Sequence, residues 1–514
     1  MVQWRRLQRG HASFPIALAP ATTQRKATVL WRMAALLTLL VVLALAARHL
    51  QRTAPPAAAA PALTTAGLQA DTAVPMGSQA HASTPPLPLF SDGAALSVPP
   101  AAPDLPATSS ETGLQRQALS ASVVQRLQPQ LGQAEARLLE IYRLISETRH
   151  REALAQADAL VRDHPNFHLA HLVHGDLLSL QIRPVTRIGD VPDTKANAAL
   201  EQLSVLREES RRRLQALTER PPAGHVPTQF LSLAPQSRHA IAIDASRSRL
   251  YLFENQAPAT SVGDGLGQAP QLKLVGDYYI SVGLQGIEKQ VEGDKRTPLG
   301  VYYITSSLNP DSLPDLYGVG ALPINYPNPL DTQRGKTGSG IWLHGTPSEQ
   351  FVRAPQASDG CVVLANPDLE RLLATVQVRT TPVVIAPELQ WVPPEALQAD
   401  RQRFEAALQA WREAKSQGNL QHLQTFYSDK FRHQGRDLAA WWPRVQEELR
   451  STARGRAVRE LELKDVSMLQ WRDSQETMVV TFGEVAKGQS RGVTKRQYWA
   501  LENDQWKIFF EGTP

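Results

Sequence analysis

The sequence predicts a multidomain chain: an N-terminal membrane anchor and disordered linker, an α-helical module, a mostly-β domain, and a C-terminal α+β domain. Three observations carry this. The length of 514 residues allows about three folded units at roughly 150 residues each. Near the start stands an apolar run framed by basic residues, followed by a tract of Ala, Pro, Ser and Thr. Beyond that tract the hydrophobic period changes from 3.6 to 2 at Arg238, and helical spacing returns after Pro393-Pro394.

A basic tail, 1–29, precedes the segment 30–49. From Met33 to Ala47 there is no charged residue. Such a stretch reaches only ~22 Å as a helix against a hydrocarbon core of ~30 Å. Leu30, Trp31 and a snorkelling Arg32 bring it near a minimal span. Six basic residues lie before the run and two shortly after it. This bias keeps the N-terminus cytoplasmic and exports the body, which means an inner-membrane protein with a periplasmic body in a Gram-negative cell. Ala44-Leu45-Ala46 keeps a cleavable signal peptide as the alternative, giving a secreted or periplasmic product; the long n-region favours the anchor.

The 54 Lys and Arg outnumber the 49 Asp and Glu, but eight of the basic residues precede the first acidic one, Asp71. The body is therefore slightly acidic and has no broad footprint for nucleic acid. One cysteine, Cys361, excludes an intrachain disulfide framework and Cys-based metal clusters within one chain.

The linker, 50–113, carries Pro55-Pro56, Ala57 to Ala60 and Pro99-Pro100 and too few large apolar residues to offset ordering entropy. It reads as a spacer. The helical module, 114–232, shows one stripe at Leu138, Leu139, Ile141, Tyr142 and Ile145 and another at Ala153, Ala155, Ala157 and Leu160. The pattern from Ala153 through Pro165 to His171 and Leu178 resembles a single tetratricopeptide-type helix pair, and Ala196 to Glu219 reads as a charged amphipathic helix. His164, His168, His171 and His174 drift around a helix without a completing carboxylate, so no metal is expected.

In the mostly-β domain, 236–387, His239 to Ile243 and Arg249 to Phe253 flank the polar turn Asp244 to Ser248 as a hairpin. Further strands are expected at Tyr278 to Val282, Val301 to Ile304, Ile341 to Leu343 and Val383 to Ile385. A short helix is expected with Asn366 as its N-cap and Pro367 in its first turn. The string Gly263-Asp264-Gly265-Leu266-Gly267 lacks the spacing of a nucleotide loop, and no cofactor is expected.

The last segment, 398–514, opens with helices at Gln398 to Gln417, Leu420 to Tyr427 and Leu438 to Leu449. It ends in strands with Met478, Val480 and Phe482 on one face and Trp506, Ile508 and Phe510 on one face. Seven of the ten tryptophans lie at or beyond Trp391, which predicts an aromatic core.

The chemistry concentrates in Ile341-Trp342-Leu343-His344-Gly345 and Ala357-Ser358-Asp359-Gly360-Cys361. A histidine ending an apolar strand and a cysteine in a polar loop can meet across a sheet. A free thiol near pKa 8.5 is mostly protonated at neutral pH, and an adjacent imidazole supplies the base it needs. Gly360 permits a tight turn that aims the Gly360 and Cys361 amides at a developing oxyanion.

Thr297-Pro298-Leu299-Gly300, Tyr326-Pro327-Asn328, His344-Gly345 and Ser358-Asp359-Gly360-Cys361, in this order, resemble the L,D-transpeptidase catalytic domain of the YkuD type. The resemblance implies a cysteine acyltransferase that attacks the diamino acid–D-Ala bond of peptidoglycan stems and passes the acyl group from a thioester to an amine. Carried over, Cys361 is the nucleophile and His344 the base. Gly360 and Cys361 make the oxyanion site, Ser358 orients the histidine through its carbonyl, and Gly345 belongs to the same orienting set. Members of the family place an arginine two residues after the cysteine; here that residue is Val363. Arg353 is the nearest replacement for the substrate carboxylate, with Asp359 beside it and Lys336 and Arg334 as further cations. The missing arginine leaves hydrolysis, releasing protein or peptide from peptidoglycan, as an alternative to transfer. A non-catalytic wall-binding scaffold is a third reading, and the helical module offers a surface for a protein partner. The segment from Arg496-Gln497-Tyr498-Trp499 to Phe510 resembles the nuclear-transport-factor-like cone fold, which implies an accessory binding module.

Overall fold

The structure, a computed structural model, describes residues 130–190, 199–258, 269–453, 460–489 and 491–514. The basic tail, the apolar segment 30–49, the linker, the start of the helical module and the glycine string 263–267 lie outside the described residues. Among the described residues no helix is long and apolar enough to cross a membrane.

The helical module comprises α1 (Gln133–Ser146), α2 (His150–Asp163), α3 (His168–Ser179) and α4 (Leu200–Thr218). In α1 the expected stripe buries Leu138, Leu139, Ile141 and Tyr142, while Ala153, Ala157 and Leu160 bury the inner face of α2. Ala155, expected on that stripe, is exposed: two residues from Ala153 is about 200° around a helix. Helices α2 and α3 pack as a pair.

Two buried arginines weld this module to the β domain. Arg213 on α4 pairs with Glu135 on α1 at 2.9 Å and with Glu209 at 2.8 Å. The same Glu135 oxygen takes Arg249 of the β domain at 2.7 Å, and Arg249 also meets Asp277 at 2.6 Å. Burial pushes the Glu135 carboxyl up, but Arg249 and Arg213 outweigh it and hold its pKa below the ordinary value.

Past α4 the chain leaves helical structure. Strand β1 (Val226–Pro227) is followed by β2 (Phe230–Ser232), which does not belong with the helices: it joins the edge of the C-terminal sheet. The catalytic-type domain then forms a nine-stranded sheet from β3 (His239–Asp244), β4 (Arg249–Asn255), β5 (Leu272–Gly283), β6 (Gly300–Tyr303), β7 (Ala321–Pro323), β8 (Trp342–His344), β9 (Gln356–Ser358), β10 (Val362–Leu364) and β11 (Pro382–Ala386), with helices α5 (Pro329–Gln333) and α6 (Asn366–Thr375). The order is β6-β11-β3-β4-β5-β10-β8-β7, with β9 on β5. The hairpin β3–β4 pairs His239 with Glu254 through Asp244 with Arg249, as the alternation of apolar residues requires. Helix α6 is capped by Ala365, one residue earlier than expected, and Asn366 is its first helical residue.

Strand β12 (Trp391–Val392) pairs with β1 and leads into the C-terminal domain. Its helices are α7 (Gln398–Ser416), α8 (Leu420–Gln424) and α9 (Leu438–Ala453), and its antiparallel strands are β13 (Leu461–Arg472), β14 (Glu476–Ala486), β15 (Val493–Glu502) and β16 (Gln505–Gly512). One sheet face buries Met468, Met478, Val480, Phe482, Trp499, Trp506 and Ile508 against Phe404, Trp411 and Trp441, so the tryptophans are core. The other face lays Leu469, Val479, Tyr498 and Phe509, with Phe230 of β2, on Tyr251, Phe253 and Val384 of the neighbouring sheet. Phe510 leaves the face of Trp506 and Ile508 because Tyr498 pairs with Phe510 while Trp499 pairs with Ile508, a bulge at Phe509 that turns the next side chain over.

Candidate active site

Strands β8 and β10 run parallel, with Val362 opposite Leu343 and Val363 opposite His344. Leu343 and Val362 face the core. Alternation therefore puts Trp342, His344, Cys361 and Val363 on the opposite face, with His344 and Cys361 as diagonal neighbours. Buried Val363 fills the position beside the histidine and lies across from Ser281 of β5.

The turn before the cysteine is fixed by its backbone. Gly360 has φ +119°, and a Cβ there would lie 2.8 Å from the Arg296 carbonyl oxygen, so only glycine fits. Ser358 Oγ accepts the Gly360 N–H at 3.1 Å and donates to the Cys361 carbonyl at 2.6 Å. Buried Thr297 accepts the Gly283 N–H and donates to the Gly360 carbonyl, each at 2.9 Å. Of the two amides expected at an oxyanion site, that of Gly360 is thus already engaged by Ser358.

His344 Nδ1 lies 2.7 Å from the Gly345 carbonyl oxygen. A carbonyl only accepts, so Nδ1 carries the proton and Nε2 keeps its lone pair. This carbonyl, not that of Ser358, orients the ring; the Ser358 carbonyl is taken by the Leu284 N–H at 2.7 Å. Tyr317 supports the ring edge-on with centroids 5.1 Å apart. Burial lowers the His344 pKa to about 4, against the upward pull of the Gly345 bond and with a further downward push from Arg353. Burial likewise pushes the Cys361 thiol above its ordinary value, although the Trp342 backbone N–H, Arg353 and Lys289 favour the thiolate. The resting pair is a thiol and a neutral imidazole. No hydrogen bond joins them; the sulfur sits 3.5 Å from the Gly340 carbonyl oxygen.

Asn366 reads in the sequence only as a cap, yet it holds the site together. Its Oδ1 accepts the N–H of Val319 at 3.3 Å and of Thr346 at 3.1 Å, and its Nδ2 donates to the Thr346 carbonyl at 3.0 Å. A Cβ on Gly345 would meet that Oδ1 at 2.0 Å. One side chain thus ties the Tyr317 loop to the Gly345 loop, and the clue is a polar residue directly behind a buried strand.

Of the three candidate cations for a substrate carboxylate, two are occupied. Arg334 makes a two-pronged pair with Asp473 of the C-terminal domain at 2.5 and 2.7 Å, and Lys336 pairs with Asp331 at 3.1 Å. Arg353 has no carboxylate partner among the described residues: Nη1 reaches only the Ala357 carbonyl at 3.4 Å, and Nε is buried without an acceptor. Asp359 is exposed and 3.4 Å from Lys295. Of His164, His168, His171 and His174, His171 bonds the Pro165 carbonyl, His174 lies 4.0 Å from Asp158 and His164 packs on Phe351. Among the described residues no group of His, Cys, Asp or Glu is arranged for a metal ion.

Comparison with known proteins finds two family matches. The family model of the L,D-transpeptidase catalytic domain, YkuD, matches residues 238–385, and that of the Cds6 C-terminal NTF2-like domain matches residues 403–512. A comparison with curated proteins returned no match. Among solved structures, Bd1075 of Bdellovibrio bacteriovorus is 25% identical over 56% of this chain and 98% of its own, with a TM-score of 0.45. The helical cell shape determining protein Pgp2 of Campylobacter jejuni is 20% identical over 55% of this chain and 95% of its own, with a TM-score of 0.41. Family models thus place a YkuD-type L,D-transpeptidase catalytic domain at residues 238–385 and, behind it, a Cds6-type NTF2-like domain at residues 403–512.

Proposed function

We propose that the protein is a peptidoglycan-modifying L,D-transpeptidase. The observation that carries this is the placement of Cys361 and His344 on one sheet face, with the Nδ1 proton of His344 engaged by Gly345 so that Nε2 is the basic nitrogen. In the reaction Nε2 takes the thiol proton as the sulfur attacks the carbonyl carbon of the diamino acid–D-Ala bond. The Cys361 amide faces the developing oxyanion. The imidazolium returns its proton to the leaving nitrogen, D-alanine departs and a thioester remains. His344 then accepts a proton from an incoming amine as it attacks the thioester carbonyl, and the thiol is regenerated. Arg353, lacking a carboxylate partner among the described residues, is the cation for the stem's free carboxylate. The basic tail and apolar segment support a membrane-anchored, periplasmic body acting on the wall.

A mass increase at Cys361 after incubation with a carbapenem or a tetrapeptide stem, absent in Cys361→Ala, tests the acyl-enzyme. Absence of any adduct together with an unchanged muropeptide profile in a Cys361→Ala strain refutes the reading. Hydrolysis is the second reading, favoured by one observation: Val363, buried beside His344, stands where the family places an arginine. Sacculi digested with wild-type protein separate the two, since new amide linkages mean transfer and shortened stems without new linkages mean hydrolysis.

A further inference from the structure

A cavity of ≈ 480 Å³ opens where β6 meets the C-terminal sheet, and none of its lining residues belongs to the Cys361 loop or the His344 strand. Its wall includes Arg496, Arg379, Tyr303, Asp465, Phe482 and Val493.

Arg496 is the unusual group. It is only 7% exposed, yet it makes no ion pair among the described residues. Its guanidinium lies 3.3 Å from the Tyr303 ring centroid, Nε donates to Thr481 Oγ1 at 2.9 Å, and Nη2 reaches the Arg379 carbonyl at 3.4 Å. Nη1 has no acceptor among the described residues. A cation that deep normally has a counter-charge, because desolvating it unpaired is costly. The second guanidinium, Arg379, also lacks a side-chain partner among the described residues and is exposed at the same cavity. Tyr303 Oη is buried without a partner among them. Two non-glycine residues in the wall, Arg379 and Asp465, hold left-handed backbone, with φ of 69° and 57°, a conformation that costs energy and gathers at ligand sites.

We propose that this cavity is a second binding site, distinct from the Cys361 site, for the free carboxylate of a short aliphatic peptide. The two guanidiniums supply forks that match a carboxylate. Leu233, Phe482 and Val493 supply the apolar flank, and the volume suits a dipeptide. Asp465 in the wall disfavours a doubly charged phosphate. The site does not depend on the reaction proposed for Cys361.

Calorimetric titration of the full chain with acetyl-alanyl-alanine, its carboxamide and inorganic phosphate tests this. Saturable binding of the free acid is expected, at least tenfold weaker for the carboxamide and at least fivefold weaker in Arg379→Ala, whose exposed side chain holds nothing in the described fold. Arg496→Lys, which keeps the charge and loses the fork, is expected to weaken it further, while carbapenem acylation of Cys361 stays at the wild-type rate in Arg379→Ala. No binding of the free acid, equal binding of the carboxamide, unchanged binding in both variants, or binding of phosphate in place of the acid overturns the proposal.

Discussion

The ring of Phe351, on the loop between β8 and β9, stacks on the ring of Phe167 in the helical module, with centroids 4.6 Å and planes 29° apart. The clamp is completed by the backbone. Phe351 N–H donates to the Asn166 carbonyl at 3.3 Å, and Asn166 Nδ2 donates to the Ser348 carbonyl at 3.0 Å. Arg353 lies two residues further on, so the helical module holds the loop that carries the unpaired cation.

Phe351→Ala is therefore expected to cost about 3–5 kcal/mol of stability, the usual range for emptying a buried phenylalanine site, and to free the Arg353 loop. In steady-state assays with a tetrapeptide donor, KM rises about tenfold while kcat changes less than threefold, the signature of lost ground-state binding. Equal loss in kcat and kcat/KM would place the loop in the chemistry instead.

The histidine predicts a pH profile. With its pKa near 4, His344 remains a neutral base through the weakly acidic range, and carbapenem acylation of Cys361 is expected to be nearly flat from about pH 5 to 7 and to fall below about pH 4. The folded pKa lies below the unfolded value of ~6.5, so the folded state binds fewer protons between the two. Stability therefore declines as pH drops from about 6.5 to 4, by up to about 3 kcal/mol. Urea melts of wild type and His344→Gln across that window check it: the variant lacks this part of the decline.

Glu135 serves two buried arginines through one oxygen. Glu135→Ala leaves Arg213 and Arg249 short of counter-charge and is expected to destabilise by about 3–5 kcal/mol. Chemical denaturation followed by tryptophan fluorescence and by far-ultraviolet circular dichroism reads it, and the double variant Glu135→Ala/Arg213→Met recovers part of the loss if the uncompensated charge is the cause.

Asn366→Ala leaves the Val319 and Thr346 amides and the Thr346 carbonyl without this partner. Acylation is expected to slow about tenfold, with a stability loss of about 1–3 kcal/mol, while Asn366→Asp, which keeps the acceptor, retains more of the rate. Single-turnover mass spectrometry of the acyl-enzyme measures both variants.

Much of this is legible in the chain. The hairpin 239–253, the strands around His344 and the helices after Pro394 come from periodicity, although the hairpin buries both faces, Ile241 and Leu252 in one core and Ala242 and Tyr251 in another. His344 and Cys361 stand out by residue type and setting. What stays hidden depends on partners remote in sequence. Arg334 looks free because Asp473 lies 139 residues away, and a phenylalanine in a loop gives no sign that a helix pair will receive it. The family resemblance gives the orienting of the histidine to the Ser358 carbonyl, yet hydrogen-bond geometry gives that task to Gly345, the neighbour the ring reaches first. The single-residue bulge at Phe509 cannot be read from alternation, and it alone displaces Phe510.

Strand β2 completes the C-terminal sheet from a position upstream of the whole catalytic-type domain, with Phe230 paired to Leu469. In chain terms the β domain is an insertion within the unit it packs against. During synthesis, β2 waits for more than two hundred residues before its neighbour exists, a long-range closure of the kind that slows folding. A fragment beginning at Gln398 would expose the edge of β13 that Phe230 to Ser232 normally shields, and such an edge invites association between copies. The boundary of the last domain therefore runs through two places in the sequence at once.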